Sequence, residues 1–204
     1  MKKTALLSLA LLAAALSLTA CKEAPAPAAA PTTAGGPTVK PGAAPLSFEA
    51  IAADAKGFTL GSAMSVRTVY VFFDAQCPHC AALWAAAKPL KSQAKFVWIP
   101  VGILNPASTA QGAALLAAAD PIAAMDEHEV LMRDKKGGIT AVGNLDAQRE
   151  LVKKNTELMN RFGFASIPTI VGKNASTGAM VVQEGSLATP ALANLLGLSL
   201  PSGS

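Results

Sequence analysis

Two apolar runs with a helical segment between them organise the middle of the chain. The first, "RTVYVFFD" from Arg67 to Asp74, is β-branched and aromatic with almost no polar interruption. A strand covered on both faces has no solvent side to alternate with, so this pattern predicts a central strand. Cys77 to Gln93 then carries Ala, Leu, Trp and Lys at helical spacing. Pro78 falls at the first helical position, where an amide N–H is not needed, and Pro89 is expected to kink or end the helix. "KFVWIPVG", Lys95 to Gly102, predicts a second strand. Strand, helix and strand in that order favour a right-handed parallel crossover.

Beyond it the period stays helical from Pro106 to Phe162. Ser108 to Ala119, Pro121 to Met132 and Asp146 to Arg161 read as helices, and "RDKKGGITAVGN", with its paired glycines and charges, reads as a loop. The last of these helices opens on acidic Asp146 and closes on Arg161 ahead of Gly163, in the sense the helix dipole favours. "IPTIVG" and "GAMVVQEG", joined by "KNASTG", predict a β-hairpin, and Thr189-Pro190 opens a short final helix through Leu196. The fold class expected is therefore α/β, a sheet with a helical subdomain inserted at about 106–162.

The ends of the chain follow other rules. Met1 to Cys21 sets Lys2 and Lys3 ahead of an uncharged run from Thr4 to Ala20, the layout of an export signal, with a retained anchor helix as the alternative. Its ending, "LTAC", resembles the bacterial lipobox, which implies cleavage before Cys21 and lipid on that cysteine. Lys22 follows where an aspartate would favour the inner membrane, so the expected location is the periplasmic side of a bacterial membrane, with a mild preference for the outer one. Residues 22–45 are nearly all Ala, Pro, Gly and Thr and predict an unfolded tether, able to span up to roughly 70 Å. Residues 46–198 then form one domain, and 199–204 a tail. Of the 204 residues, 17 are basic and 13 acidic; loss of Lys2 and Lys3 with the signal leaves 15 basic side chains. That near-balance, with Lys135, Lys136, Lys153 and Lys154 set among acidic neighbours, gives no track for nucleic acid.

The remaining two cysteines lie in "CPHC". Cys77, at the start of a helix that follows a buried strand, meets free backbone N–H groups and the positive helix end, which favour a thiolate. Cys80 lies one turn deeper on the same side, within reach of a disulfide. Three chemistries share this spacing. A redox couple opens and closes; a structural disulfide closes a loop too small to stabilise the fold much; soft thiolates, with His79, suit Cu(I) in a copper-handling protein. Structural zinc needs four ligands, which Cys77, Cys80, His79 and the only other histidine, His128, are poorly placed to supply. No metal or other cofactor is expected. His79 is either an exposed polar residue or a cation that stabilises the Cys77 thiolate and makes a disulfide more oxidising. Asp74 is either a proton acceptor for Cys80 or a turn and capping residue. His128, in "DEHEV", reads as a solvated helix position, and Trp84 and Trp98 as core.

Together "VFFDAQCPHC", "WIPVGILNPASTAQGAALLAAADP", "LMNRFGFASIPTIV" and the late hairpin resemble the catalytic domain of the periplasmic DsbG/DsbC-type thiol-disulfide proteins, over about Val66 to Leu196. The resemblance implies a thioredoxin-like fold and an oxidoreductase whose catalytic pair is Cys77 and Cys80, tuned by Pro78 and His79. It also implies a cis-proline at Pro168, preceded by Ile167, in a loop that faces the pair and binds the client chain. Implied partners are client proteins with cysteines and a membrane redox protein that resets the disulfide. Only Leu46 to Ser65 stands where those proteins carry a dimerisation domain, so a monomer is expected. Ile167 replaces their common threonine, and Pro-His is the dipeptide of strongly oxidising relatives; the direction of electron flow stays open.

Overall fold

A computed structural model describes residues 43–200 of the chain. The expected signal at 1–21, Cys21, nearly all of the tether and the last four residues lie outside the described residues. Five strands form one mixed sheet in the order β1-β3-β2-β4-β5. β2 (Thr68–Asp74) and β3 (Lys95–Val101) run parallel in its middle, joined by helix α2 (Pro78–Ala87). β4 (Thr169–Lys173) lies antiparallel on the other side of β2, and β5 (Met180–Glu184) closes that edge as a hairpin. The opposite edge is β1 (Phe58–Gly61), antiparallel to β3 and preceded by the seven-residue helix α1 (Phe48–Asp54). The sequence pattern had assigned neither α1 nor β1.

The unbroken apolar run of β2 has a direct cause in its surroundings. Val69, Val71 and Phe73 point to one face, where they join Leu83 and Trp84 of α2, Trp98 of β3, and Leu192 and Leu196 of α6 (Thr189–Leu196). Tyr70 and Phe72 point to the other, against Ile99, Leu158, Met159 and Phe162. Both faces are covered, so no position in the strand is left for a solvated side chain. On the first face Trp84 and Trp98 meet edge to face, with ring centroids 5.0 Å apart.

Between β3 and β4 run α3 (Pro106–Ala117), α4 (Pro121–Arg133) and α5 (Asp146–Arg161). Asn105 caps α3 in a capping box with Ser108, Asp120 caps α4 through the amides of Ile122 and Ala123, and each helix has proline at its first position. α5 ends in a Schellman motif: Gly163, at φ 74°, donates to the Asn160 carbonyl, and Phe164 donates to that of Met159. Pro89 acts where the sequence places it. α2 stops at Ala87, and Lys88–Leu90 tightens into a 3₁₀ turn. Among the described residues no helix is long and apolar enough to cross a membrane.

Candidate functional site

The site gathers at the carboxyl end of β2. The chain turns through Ala75 and Gln76, and Cys77 becomes the N-cap of α2, with Pro78 first in the helix. Its sulfur takes the part an oxygen usually plays at a cap: the Cys80 N–H points at Cys77 Sγ from 3.4 Å. Pro78 and His79 are exposed, whereas Cys77 keeps 6% of its surface and Cys80 none. Both cysteines are thiols in this structure.

Burial and hydrogen bonding separate the two acidities. The Cys80 thiol donates to Cys77 sulfur and is the largest cause that brings the Cys77 pKa down to about 6, from an ordinary 9.0. Burial opposes that fall, while the backbone N–H groups of Cys80 and His79 and the charge of His79 add to it. Cys80 moves the other way. Burial pushes its thiol far up, and its role as donor to Cys77 and the negative charge there push it further. One sulfur is thus a thiolate near neutrality, and the other holds its proton.

The loop opposite is set by strand register. Thr169 pairs with Phe72, so the residues before it lie beside the end of β2. The Ile167–Pro168 peptide bond is cis, and the Ile167 carbonyl lies 4.0 Å from Cys77 Sγ. Glu184 of β5 holds the loop from outside, accepting from the Ala165 N–H and the Ser166 hydroxyl, and Thr169 Oγ1 donates to the Ser166 carbonyl at 2.6 Å. Ile167 packs against both cores. The structure therefore brings Cys77, Cys80, Ile167 and Pro168 together.

Asp74 is wholly buried and its carboxylate is fully engaged with backbone. Oδ1 accepts from Gln76 N–H at 2.9 Å, and Oδ2 accepts from those of Ile103 and Leu104 at 2.8 and 3.1 Å. Of the two roles open to it, these contacts are those of a turn residue, pinning the loop that carries Cys77 to the end of β3. Towards Cys80 it acts in two senses: a backbone hydrogen bond with Asp74 lowers that thiol's pKa against the rise burial imposes, and the carboxylate charge raises it.

His128 requires a correction: it is not a solvated residue but has no exposed surface. Ile139 N–H donates to its Nδ1 at 3.2 Å, so the proton sits on Nε2, which donates to the Ala75 carbonyl at 2.7 Å. Burial lowers its pKa, consistent with a neutral ring. Gln111 Nε2 donates to the carbonyls of Gly137 and Ile139, and Gln76 Nε2 donates to Gln111 Oε1. Gly138 passes so close that a Cβ would meet the His128 ring at 2.4 Å. These polar residues fasten the Cys77 loop to the helical insert. Of them, only the paired glycines of "KKGGI" left a trace in the sequence.

A groove of about 530 Å³ opens beside Cys77, between α2 and α4. Pro78, Ala81 and Trp84 line one wall, Glu129 and Met132 the other. Further along the groove, Asp126 accepts from Trp84 Nε1 at 2.7 Å and from Lys88 at 2.6 Å. Among the described residues no set of three or more His, Cys, Asp or Glu side chains is grouped as a metal site.

Comparison with known proteins places this arrangement. Over 140 residues, 67% of the chain and 54% of the relative, it is 36% identical to the thiol:disulfide interchange protein DsbG of Pseudomonas aeruginosa. It is 32% identical to DsbG of Escherichia coli over 104 residues, 50% of the chain and 42% of that protein. The chain thus spans about half the length of the curated relatives it matches. No family model matches it. The catalytic domain of Proteus mirabilis ScsC superposes with a TM-score of 0.57 at 15% identity, covering 73% of this chain and 96% of that one. The fold is thioredoxin-like with a helical insert, and over the matched stretch the chain is a relative of the DsbG proteins.

Proposed function

We propose that this relative of DsbG carries out thiol-disulfide exchange on exported proteins, with Cys77 as the attacking sulfur and Cys80 as the resolving one. The observation that carries the proposal is the division of labour within the pair: Cys77 is acidic, at the mouth of the groove, and Cys80 is buried and protonated. As a thiolate, Cys77 attacks a client disulfide; its new bond to one client sulfur replaces the old S–S bond, and the other client sulfur leaves. Cys80 then attacks Cys77, releasing the reduced client and closing the Cys77–Cys80 disulfide. Run backwards, the couple passes its disulfide to client thiols. A membrane redox partner resets it, in the direction its potential dictates. Ile167 and Pro168 offer the backbone along which an extended client segment would lie, and lipid on Cys21 would hold the domain at the periplasmic face through the 22–45 tether.

Trapping experiments test this assignment. Cys77→Ala abolishes turnover of a disulfide-bonded client, and Cys80→Ala accumulates mixed disulfides through Cys77. Turnover that survives loss of Cys77 sinks the proposal.

A further inference from the structure

Glu129 lies on the groove wall facing α2, and Cys77 and Pro78 border the same space. Its carboxyl is half-buried, and among the described residues it takes part in no hydrogen bond and no ion pair. That sets it apart from Asp126, one turn earlier on α4, whose carboxylate is occupied by Trp84 and Lys88. The charged and titratable groups around it are few. From α2 they are Cys77 at one end and the Asp126-bound Lys88 at the other; on α4 they are Asp126 and Arg133, while His128 turns away to Ala75. A carboxyl in such a place has only Arg133 to favour its charge and two chief reasons to give it up, burial first and then the thiolate on the same groove.

We propose that Glu129 is the proton store of the redox couple, protonated when Cys77 is a thiolate and ionised when Cys77 is bonded to Cys80. The inference rests on the thiol-disulfide reading above. When a client dithiol reduces the enzyme disulfide, two electrons and two protons leave the client. The Cys77–Cys80 bond breaks and a client S–S bond forms; one proton goes to Cys80 sulfur, the other to the Glu129 carboxylate, and Cys77 stays a thiolate. In the reverse reaction both protons return to the client sulfurs. Burial first, and then the charge of Cys77, raise the Glu129 pKa to about 7, so the store fills and empties near neutral pH.

The readout is the equilibrium constant for reduction of the full-length protein by glutathione, measured at pH 6 and pH 7. With Cys77 titrating at about 6, a couple without the store releases a proton as pH rises, and its constant climbs about fivefold. Proton uptake by Glu129 offsets part of that release, so the constant of the native protein climbs less steeply. Glu129→Gln restores the fivefold rise. Identical pH dependence in the native and Glu129→Gln proteins overturns the store while leaving the exchange reaction intact; no equilibration with glutathione at all removes the exchange reading itself. Should Glu129→Gln fail to fold, carboxyl NMR titration of the native protein decides: the Glu129 midpoint is higher in the reduced form, and equal midpoints in both redox forms refute the proposal.

Discussion

Replacing Cys80 by alanine tests what makes Cys77 acidic. A pKa of about 6 instead of 9.0 corresponds to about 4 kcal/mol of preference for the thiolate. At pH 7 it gives a thiolate fraction of about 0.9, against about 0.01 for the ordinary thiol. The largest share comes from the Cys80 thiol as donor, and the helix start supplies the remainder through the N–H groups of Cys80 and His79 and the charge of His79. Cys80→Ala removes the first and keeps the second. The Cys77 midpoint should then rise by at least about one unit, roughly 1.4 kcal/mol, and Cys80→Ser, which keeps a donor at that place, should hold most of the shift. The assay is thiolate absorbance against pH, not reaction rate. A thiolate of higher pKa is intrinsically the better nucleophile, so even a full return to 9.0 would slow exchange at pH 7 only about three- to sixfold. A midpoint still near 6 in Cys80→Ala would show that the helix start alone sets the acidity, and the reasoning would fail.

Two further outcomes follow from other parts of the molecule. Burial holds the His128 pKa below its ordinary 6.5, so the folded ring stays neutral while the unfolded one takes a proton. Its stabilising share is complete above about pH 6.5 and is lost as pH falls toward the folded value, by up to about 1.4 kcal/mol per unit. Urea midpoints of the oxidised protein between pH 7.5 and 5 should decline, and less steeply in His128→Asn; parallel slopes would count against it. At the other end of the chain, Cys21→Ser should move the protein from the membrane fraction to the soluble one, and unchanged fractionation would remove the lipid anchor from the proposal.

What could be read from the chain divides by the range of the interactions. The central strands, α2 and the β4–β5 hairpin announce themselves because each is long enough to show a period or a turn, and because two-sided burial leaves β2 without polar positions. β1 fails that test. Its four residues, Phe58 to Gly61, alternate correctly, but so short a run has no statistical weight, and only pairing with β3 makes it a strand. α1 buries a single residue, Ile51, and shows no stripe. In the site, the "CPHC" pair and "SIPT" are local motifs, whereas His128 and Glu129 sit in "DEHEV", which looks like any solvated helix. His128 is buried because backbone groups of Ala75 and Ile139 reach its two nitrogens, and a carbonyl or an amide is the same at every position. The groove that gives Glu129 its surroundings exists only once α4 has packed beside α2. Tertiary packing, not composition, made both residues informative.

The sulfur that does the chemistry is also the group that begins a helix, and this places position 77 under two opposed selections. Serine, among the best residues for starting a helix, would fit the same place with its hydroxyl toward the Cys80 amide and would be inert. Stability alone would therefore favour that exchange, and its cost would fall on activity. Cysteine at this position serves reactivity, at the expense of the sturdier helix start that one oxygen would provide.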